Sequence, residues 1–154
     1  MIMSKAKAII VDIDNTIANN DHRQKHLTGK KDWDKFFDAC EQDKPITASI
    51  SMVQALEKKD LKIVFISGRP DNYKEKTENW LKKHVGLKKY ELLMRPNKNF
   101  NDVVEIKRNL LNSIRYKYEI LFALEDNEAL ATMWEEENIP CIKIPGNLSS
   151  LYKP

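Results

Sequence analysis

The chain has 154 residues, of which 42% are hydrophobic and 32% are charged, and its formal net charge is +3. This length fits one domain, residues 1–154, and the composition is that of an ordinary globular protein rather than a disordered one. The mild positive charge permits an anionic substrate but lacks the density of a dedicated nucleic-acid binder. No run approaches the roughly 20 apolar residues that cross a bilayer, and no signal peptide is evident. We therefore expect a cytoplasmic protein without membrane contact.

Short apolar runs alternate with amphipathic segments along the chain. The runs have the pattern of strands covered on both faces, and they are Ala6–Val11, Leu61–Ile66, Glu91–Met94, Ile120–Leu124 and Cys141–Ile144. Helical periodicity covers the segments Ile46–Lys59, Tyr73–His84, Val103–Ile114 and Asn127–Glu137. The alternation predicts an α/β fold, a Rossmann-like three-layer sandwich with a central parallel sheet of about five strands.

The segment 17–44 interrupts this alternation directly after the first strand. It contains a polar stretch and then a predicted helix over 32–42. In an open α/β sheet, ligands bind beyond the carboxyl ends of the strands. The segment is therefore expected to form a minimal cap over a site at that edge.

Two acids follow the first predicted strand in the run Asp12-Ile13-Asp14-Asn15-Thr16. In an extended chain, side chains two residues apart point to the same side. Two buried carboxylates need a cation or a shared proton, and Mg²⁺ prefers such oxygen ligands. Taken alone, the pair could equally be solvated acids at a strand end.

Three further polar sites occur later in the chain. The second strand ends in Ser67-Gly68-Arg69-Pro70 before a helix, where backbone N–H groups and Arg69 suit a phosphate. Lys107 lies on the third helix, and Glu125-Asp126 follows the fourth strand. Taken individually, the first site could be an ordinary turn, the second a surface lysine and the third a helix N-cap. Together, at one edge of a parallel sheet, they place acids for a metal beside groups for a phosphate.

The order of these motifs resembles the haloacid dehalogenase (HAD) superfamily of phosphatases. The resemblance is closer to the 3′-phosphatase domains of bacteriophage polynucleotide kinases and their stand-alone relatives, and it covers about 7–146. Additional residues resemble signatures of that group; they are His22-Arg23, His26, Asp32-Trp33, Phe36-Phe37, Thr77, Trp80-Leu81, Met94-Arg95-Pro96 and Met133-Trp134.

The resemblance implies a role for each matching residue. Asp12 would be the nucleophile, Asp14 the general acid and base, and Lys107 the cation that neutralises Asp12 and the phosphate. Mg²⁺ would be bound by Asp12, Asp126 and the backbone carbonyl of Asp14, with Glu125 beside them. Residues implied to bind the phosphate or the substrate are Thr16, Ser67, Gly68, Arg69 and Arg23. We expect Arg23, in the insert, to meet a polymeric substrate at the mouth of the site.

The sequence departs from the family pattern at three positions. Asn15 stands where Gly is usual, and Asn tolerates a left-handed backbone better than most residues. Val103 stands where an Asp usually precedes the lysine by four residues, so the partner of Lys107 is open, with Asp102 nearby. Glu125 replaces the first residue of an Asp-Asp pair, which makes Asp126 the better metal ligand.

Three functions remain open from the sequence. The first is a phosphatase that removes 3′-phosphates from nucleic-acid ends, because a small cap leaves the site open to a polymer. The second is a small-molecule phosphatase of nucleoside 5′-monophosphates, for which Trp33, Phe36 or Phe37 could stack on a base. The third is an inactive module that binds nucleic-acid ends. The chain contains no Gly-x-x-x-x-Gly-Lys-Ser/Thr loop for a kinase, and it indicates no particular protein partner.

Overall fold

The computed structural model describes residues 3–146. Its strands are β1 Ala6–Val11, β2 Ala18–Asn19, β3 Lys44–Pro45, β4 Lys62–Pro70, β5 Glu91–Arg95, β6 Tyr118–Glu125 and β7 Cys141–Lys143. Its helices are α1 Trp33–Asp38, α2 Thr47–Lys58, α3 Lys74–His84, α4 Val103–Asn112 and α5 Glu128–Glu136. Short 3₁₀ segments cover Asp21–Leu27, Ala39–Gln42 and Asp71–Tyr73. The predicted order of strands and helices is confirmed.

The central sheet has five parallel strands in the order β5-β4-β1-β6-β7. Strand β1 is central, and the chain builds the sheet outward from it, first on the β4 side and then on the β6 side. Such a switch in direction leaves a crevice at the carboxyl end of the central strand, where α/β proteins bind ligands. In this chain, Asp12 is the first residue after β1.

Helices cover both faces of the sheet. Along β1, Ile9 and Val11 face one apolar layer, and Ala8 and Ile10 face the other. The first layer packs against α2 and α3, and the second packs against α4 and α5. This alternation confirms the predicted three-layer sandwich, because every second side chain of a strand points to the same face.

The insert after β1 closes on a two-stranded antiparallel ribbon, in which β2 pairs with β3. The predicted helix over 32–42 is shorter than expected, since α1 ends at Asp38 and the chain continues as a 3₁₀ turn. A 3₁₀ turn is a common tighter ending of a helix. Cys40 and Asp43, within and just after this turn, are both buried. Among residues 3–146, no helix combines the length and apolar character needed to span a membrane.

Candidate active site

A tight turn at the end of β1 presents the first acid. The amides of Thr16, Ile17 and Ala18 all donate to the carbonyl of Ile13, so the chain folds back directly after the strand. The Oγ1 of Thr16 thereby reaches Asp12 and donates to its Oδ2 at 2.9 Å. The turn requires a left-handed residue at Asn15, whose φ is 61°. Asn therefore supplies the conformation for which glycine is the usual residue.

An acidic cluster surrounds Asp12. Carboxylate oxygens of Asp12, Glu125 and Asp126 lie within 4.8 Å of one another. Burial, followed by the nearby charge of Asp12, raises the pKa of Asp126 to about 8 and that of Glu125 to about 7. Within residues 3–146, Lys107 is the cation in contact with the cluster, so three ionised carboxylates would face one ammonium group. The cluster could hold a divalent cation, because that charge would balance the two remaining negative charges.

Lys107 is fully buried between two of these acids. Its Nζ donates to Asp12 Oδ1 at 2.6 Å and to Glu125 Oε2 at 3.0 Å. Burial opposes the charge of Lys107, but the two carboxylates outweigh it and raise the pKa of this lysine. Glu125 is thus the acidic partner of Lys107 that the sequence analysis left open. Asp102 instead caps α4, with its Oδ1 accepting from the amide of Val104 at 2.8 Å.

The second acid, Asp14, lies beside two arginines rather than beside Lys107. Arg69 donates from Nη2 to Asp14 Oδ1 at 2.9 Å and from Nε to Oδ2 at 3.1 Å, and Arg23 donates to Oδ1 at 2.5 Å. Burial disfavours the charged carboxylate, but Arg69 and then Arg23 outweigh burial and lower the pKa of Asp14 to about 2. Asp14 is 26% exposed while both arginine side chains are 0% exposed. Solvent therefore reaches this group through Asp14.

Asp43 is a second acid that binds both arginines, and the sequence analysis did not identify it. It accepts from Arg23 Nε at 2.8 Å and Nη2 at 2.7 Å, and from Arg69 Nη2 at 3.0 Å. His22 also contacts it, at 2.8 Å. The buried group comprises two acids and two arginines and is electrically balanced, as such groups need to be. The signal in the sequence was Arg23 itself, because an arginine that becomes buried needs an acid as its partner.

Several signature residues of the resemblance support this arginine group. The hydroxyl of Thr77 accepts from Arg69 at 3.2 Å, and the indole of Trp80 donates to the backbone carbonyl of Asp43 at 2.7 Å. Phe36 packs its ring 4.3 Å from the guanidinium of Arg23. These contacts explain why Arg23 is buried in the structure and does not lie at the mouth, where we expected a polymer contact.

Ser67 and Gly68 lie where β4 reaches the same edge of the sheet. Ser67 is buried, and its Oγ accepts from the amide of Arg69 at 3.1 Å. Gly68 lies under the first turn of α4, where an added Cβ would be 2.9 Å from Cγ2 of Val103. The carbonyl of Gly68 accepts from Arg95 Nε at 2.9 Å. Absence of a side chain at Gly68 therefore lets α4 approach β4 and bring Lys107 to Asp12.

The geometry combines two neighbouring groups at the end of β1. One contains a carboxylate, an ammonium group and a potential cation site, and the other an acid that two arginines hold. Residues 6–147 match the family of polynucleotide kinase PNKP phosphatase domains. The chain belongs to this family. The resemblance to HAD phosphatases is confirmed, and the chain is a HAD-type phosphatase domain.

Two known proteins are similar to most of the chain. A protein of Autographa californica nuclear polyhedrosis virus, described as a bifunctional polynucleotide kinase/RNA ligase, is 30% identical over 138 residues, which are 88% of this chain and 19% of that protein. A chain in the structure of a Pnkp1/Rnl/Hen1 complex is 28% identical with a TM-score of 0.76, over 93% of this chain and 47% of that one. This PNKP-type domain thus spans less than half of either relative.

A more distant structure shows the same fold. The class C acid phosphatase from Bacillus anthracis has a TM-score of 0.67 and 20% identity, over 95% of this chain and 69% of that one. At this identity the likeness concerns the fold alone.

Proposed function

We propose that the protein is a magnesium-dependent phosphomonoesterase that removes 3′-phosphates from nucleic-acid ends through an aspartyl-phosphate intermediate. The observation that carries the chemistry is the contact of Asp12 with Lys107 inside the acidic cluster, next to the Asp14–arginine group. The nature of the substrate is supported by membership of the polynucleotide kinase phosphatase family.

Asp12 is the nucleophile of the proposed reaction. One carboxylate oxygen forms a bond to phosphorus, the ester P–O bond breaks, and the leaving oxygen takes a proton from Asp14. Lys107 balances the negative charge of Asp12 and of the transferred group, while Thr16 and Ser67 bind phosphoryl oxygens. Water then attacks the phosphorus, gives a proton to Asp14, and releases phosphate and free Asp12.

A Mg²⁺ ion fits the acidic cluster because every donor is a hard oxygen atom. Asp12, Asp126 and the backbone carbonyl of Asp14 would hold the ion, with Glu125 oriented by Lys107 and Trp134 next to them. The bound ion would supply stabilisation of negative charge on the phosphoryl oxygens.

Asp14 needs a proton before it can act as the acid, yet its pKa of about 2 keeps it ionised at neutral pH. A substrate phosphate is itself an anion, and it would compete with Asp14 for Arg69 and Arg23. Moving either guanidinium from Asp14 to the phosphate would raise the pKa of Asp14. In this proposal, the two arginines handle the substrate from within the site, and Asp14 gains its proton only when a phosphate is present.

The test compares substrates at controlled concentrations of Mg²⁺. We expect Mg²⁺-dependent release of phosphate from a 3′-phosphorylated oligonucleotide at a higher kcat/KM than from a nucleoside 5′-monophosphate or a chromogenic ester. Chelator and the Asp12→Asn variant should each abolish turnover. The matched control Asp38→Asn, at an exposed site in the cap, should not. Faster turnover of the 5′-monophosphate would identify a nucleotidase instead, and full activity in chelator would reject the metal.

A further inference from the structure

A cleft of about 550 Å³ opens at the carboxyl end of β4, whose last residue, Pro70, lines it. It lies between α1 of the cap, the turn after β4, and the loop 96–101 after β5. Its lining combines aromatic rings, two cations and several asparagine amides, and includes Trp33, Phe37, Tyr73, Arg95, Lys98 and Phe100. We call it the aromatic cleft.

Two rings of the aromatic cleft are largely exposed and so do not serve to pack the cap onto the body of the protein. Phe36 is the ring that α1 buries, whereas Trp33 is 49% exposed and Phe100 is 91% exposed. Trp33 stacks on Phe37 with 5.9 Å between ring centroids, and Phe37 lies 5.6 Å from the ring of Tyr73. A continuous aromatic wall therefore faces the cleft, with Phe100 as a separate exposed ring at its border.

The aromatic cleft is joined to the phosphate site by hydrogen bonds. Arg95 donates from Nε to the carbonyl of Gly68, and from Nη1 to the carbonyls of Asn99 at 3.0 Å and Asn101 at 2.7 Å. These bonds hold the loop that carries Phe100 against the backbone next to Ser67. Pro70, three residues after Ser67, lines the cleft itself. A chain that placed its terminal phosphate near Ser67 would thus meet the cleft with the next part of the molecule.

Charge and shape favour a nucleobase as the occupant. Arg95 and Lys98 line the cleft and Lys31 lies 5.8 Å from the Trp33 ring, so cations surround the aromatic wall. The acidic residue of the lining, Asp34, accepts from the Tyr73 hydroxyl at 3.2 Å. Aromatic rings near cations are the usual surface for unpaired bases, and a base within a duplex has its faces covered by neighbours.

We propose that the aromatic cleft binds the base next to the last one of a single-stranded nucleic-acid 3′ end, and so selects single-stranded polynucleotides over mononucleotides and duplex ends. This inference rests on the proposed function, because the terminal phosphate must lie at Asp12 for the base to reach the cleft. Stacking of one base on an aromatic side chain corresponds to about 5- to 150-fold in affinity.

A kinetic experiment tests the cleft with a matched control. Phe100→Ala should raise the KM for a 3′-phosphorylated tetranucleotide about tenfold, by loss of stacking, and should change the KM for a nucleoside 3′-monophosphate by a smaller factor. Tyr116→Ala is the control, since Tyr116 is 76% exposed just before β6, at the opposite edge of the sheet. Replacing the last two bases by abasic sites should remove the difference between wild type and Phe100→Ala. Equal effects of the two variants, or an unchanged sensitivity on the abasic strand, would overturn the proposal.

A binding experiment separates this inference from the proposed function. Trp33 is half-exposed while the other two tryptophans, Trp80 and Trp134, are fully buried. A single strand with a 3′-hydroxyl should therefore quench the fluorescence of Trp33, and Trp33→Phe should lose the response. Quenching in a protein that hydrolyses no 3′-phosphate would retain the cleft and reject the phosphatase. Hydrolysis of 3′-phosphates without quenching or base dependence would reject base binding in the cleft and retain the phosphatase.

Discussion

At the scale of single residues, Asp43 balances the arginine group. It shares Nη2 of Arg23 and Nη2 of Arg69 with Asp14, and its side chain is fully buried. Without Asp43, the guanidinium groups of Arg23 and Arg69 would have to share the single carboxylate of Asp14. Breaking a buried ion pair by removing one partner is costly because the other charge stays behind, uncompensated.

We therefore expect Asp43→Asn to lower the free energy of unfolding by about 3–5 kcal/mol and to lower kcat as the two arginines lose their positions. Chemical denaturation and steady-state kinetics measure the two effects. The control is Asp38→Asn, which removes an ion pair with Lys76 in which both side chains are solvent-exposed and should cost under about 1 kcal/mol. Similar losses in both variants would show that the arginines do not depend on Asp43.

At the scale of elements, the contact between α4 and β4 sets the position of Lys107. Gly68 and Val103 form this contact, and a Cβ at Gly68 would come within 2.9 Å of the Val103 side chain. The departure from the family pattern at Val103 is thus compatible with the site, since Glu125 supplies the acid for Lys107 and Val103 packs against glycine.

Gly68→Ala should accordingly displace the start of α4, cost about 1–3 kcal/mol through overpacking, and slow turnover as Lys107 moves from Asp12. Adding Val103→Ala should restore most of both losses, because the smaller residue makes room for the new methyl group. The double-mutant cycle, measured by thermal unfolding and kcat, reports the coupling. Additive losses in the double variant would mean that the contact does not position α4.

At the scale of the whole molecule, the carboxyl edge of the sheet gathers charges from distant parts of the chain. The arginine group is balanced, whereas the acidic cluster contains three carboxylates for one lysine. Crowding of negative charge destabilises the folded protein without a cation, and a ligand that binds only the folded state stabilises it by mass action.

Saturating Mg²⁺ should therefore raise the Tm. An ion at 100 times its Kd contributes about 2.7 kcal/mol, which corresponds to about 5–10 °C for a chain of this size. Asp126→Asn should abolish this increase. In chelator near neutral pH it should have a higher Tm than the wild type, because a carboxyl group whose pKa is raised to about 8 on folding destabilises the folded protein at that pH. Asp60→Asn, at an exposed position after α2, should retain the full response. A wild-type Tm that does not respond to Mg²⁺ would count against the metal site.

The sequence by itself determined the order of strands and helices, the acids after β1 and the polar residues at the ends of β4 and β6. Apolar periodicity is local, and parallel strands necessarily bring their carboxyl ends to one edge. The tertiary structure alone decided the role of Asp43, the pairing of Lys107 with Glu125 and the burial of Arg23. It also decided that Trp33 and Phe100 border one cleft. Each of these joins side chains from separate elements, and no periodicity specifies such pairs, because their partners follow from packing and from the need of every buried charge for an opposite one.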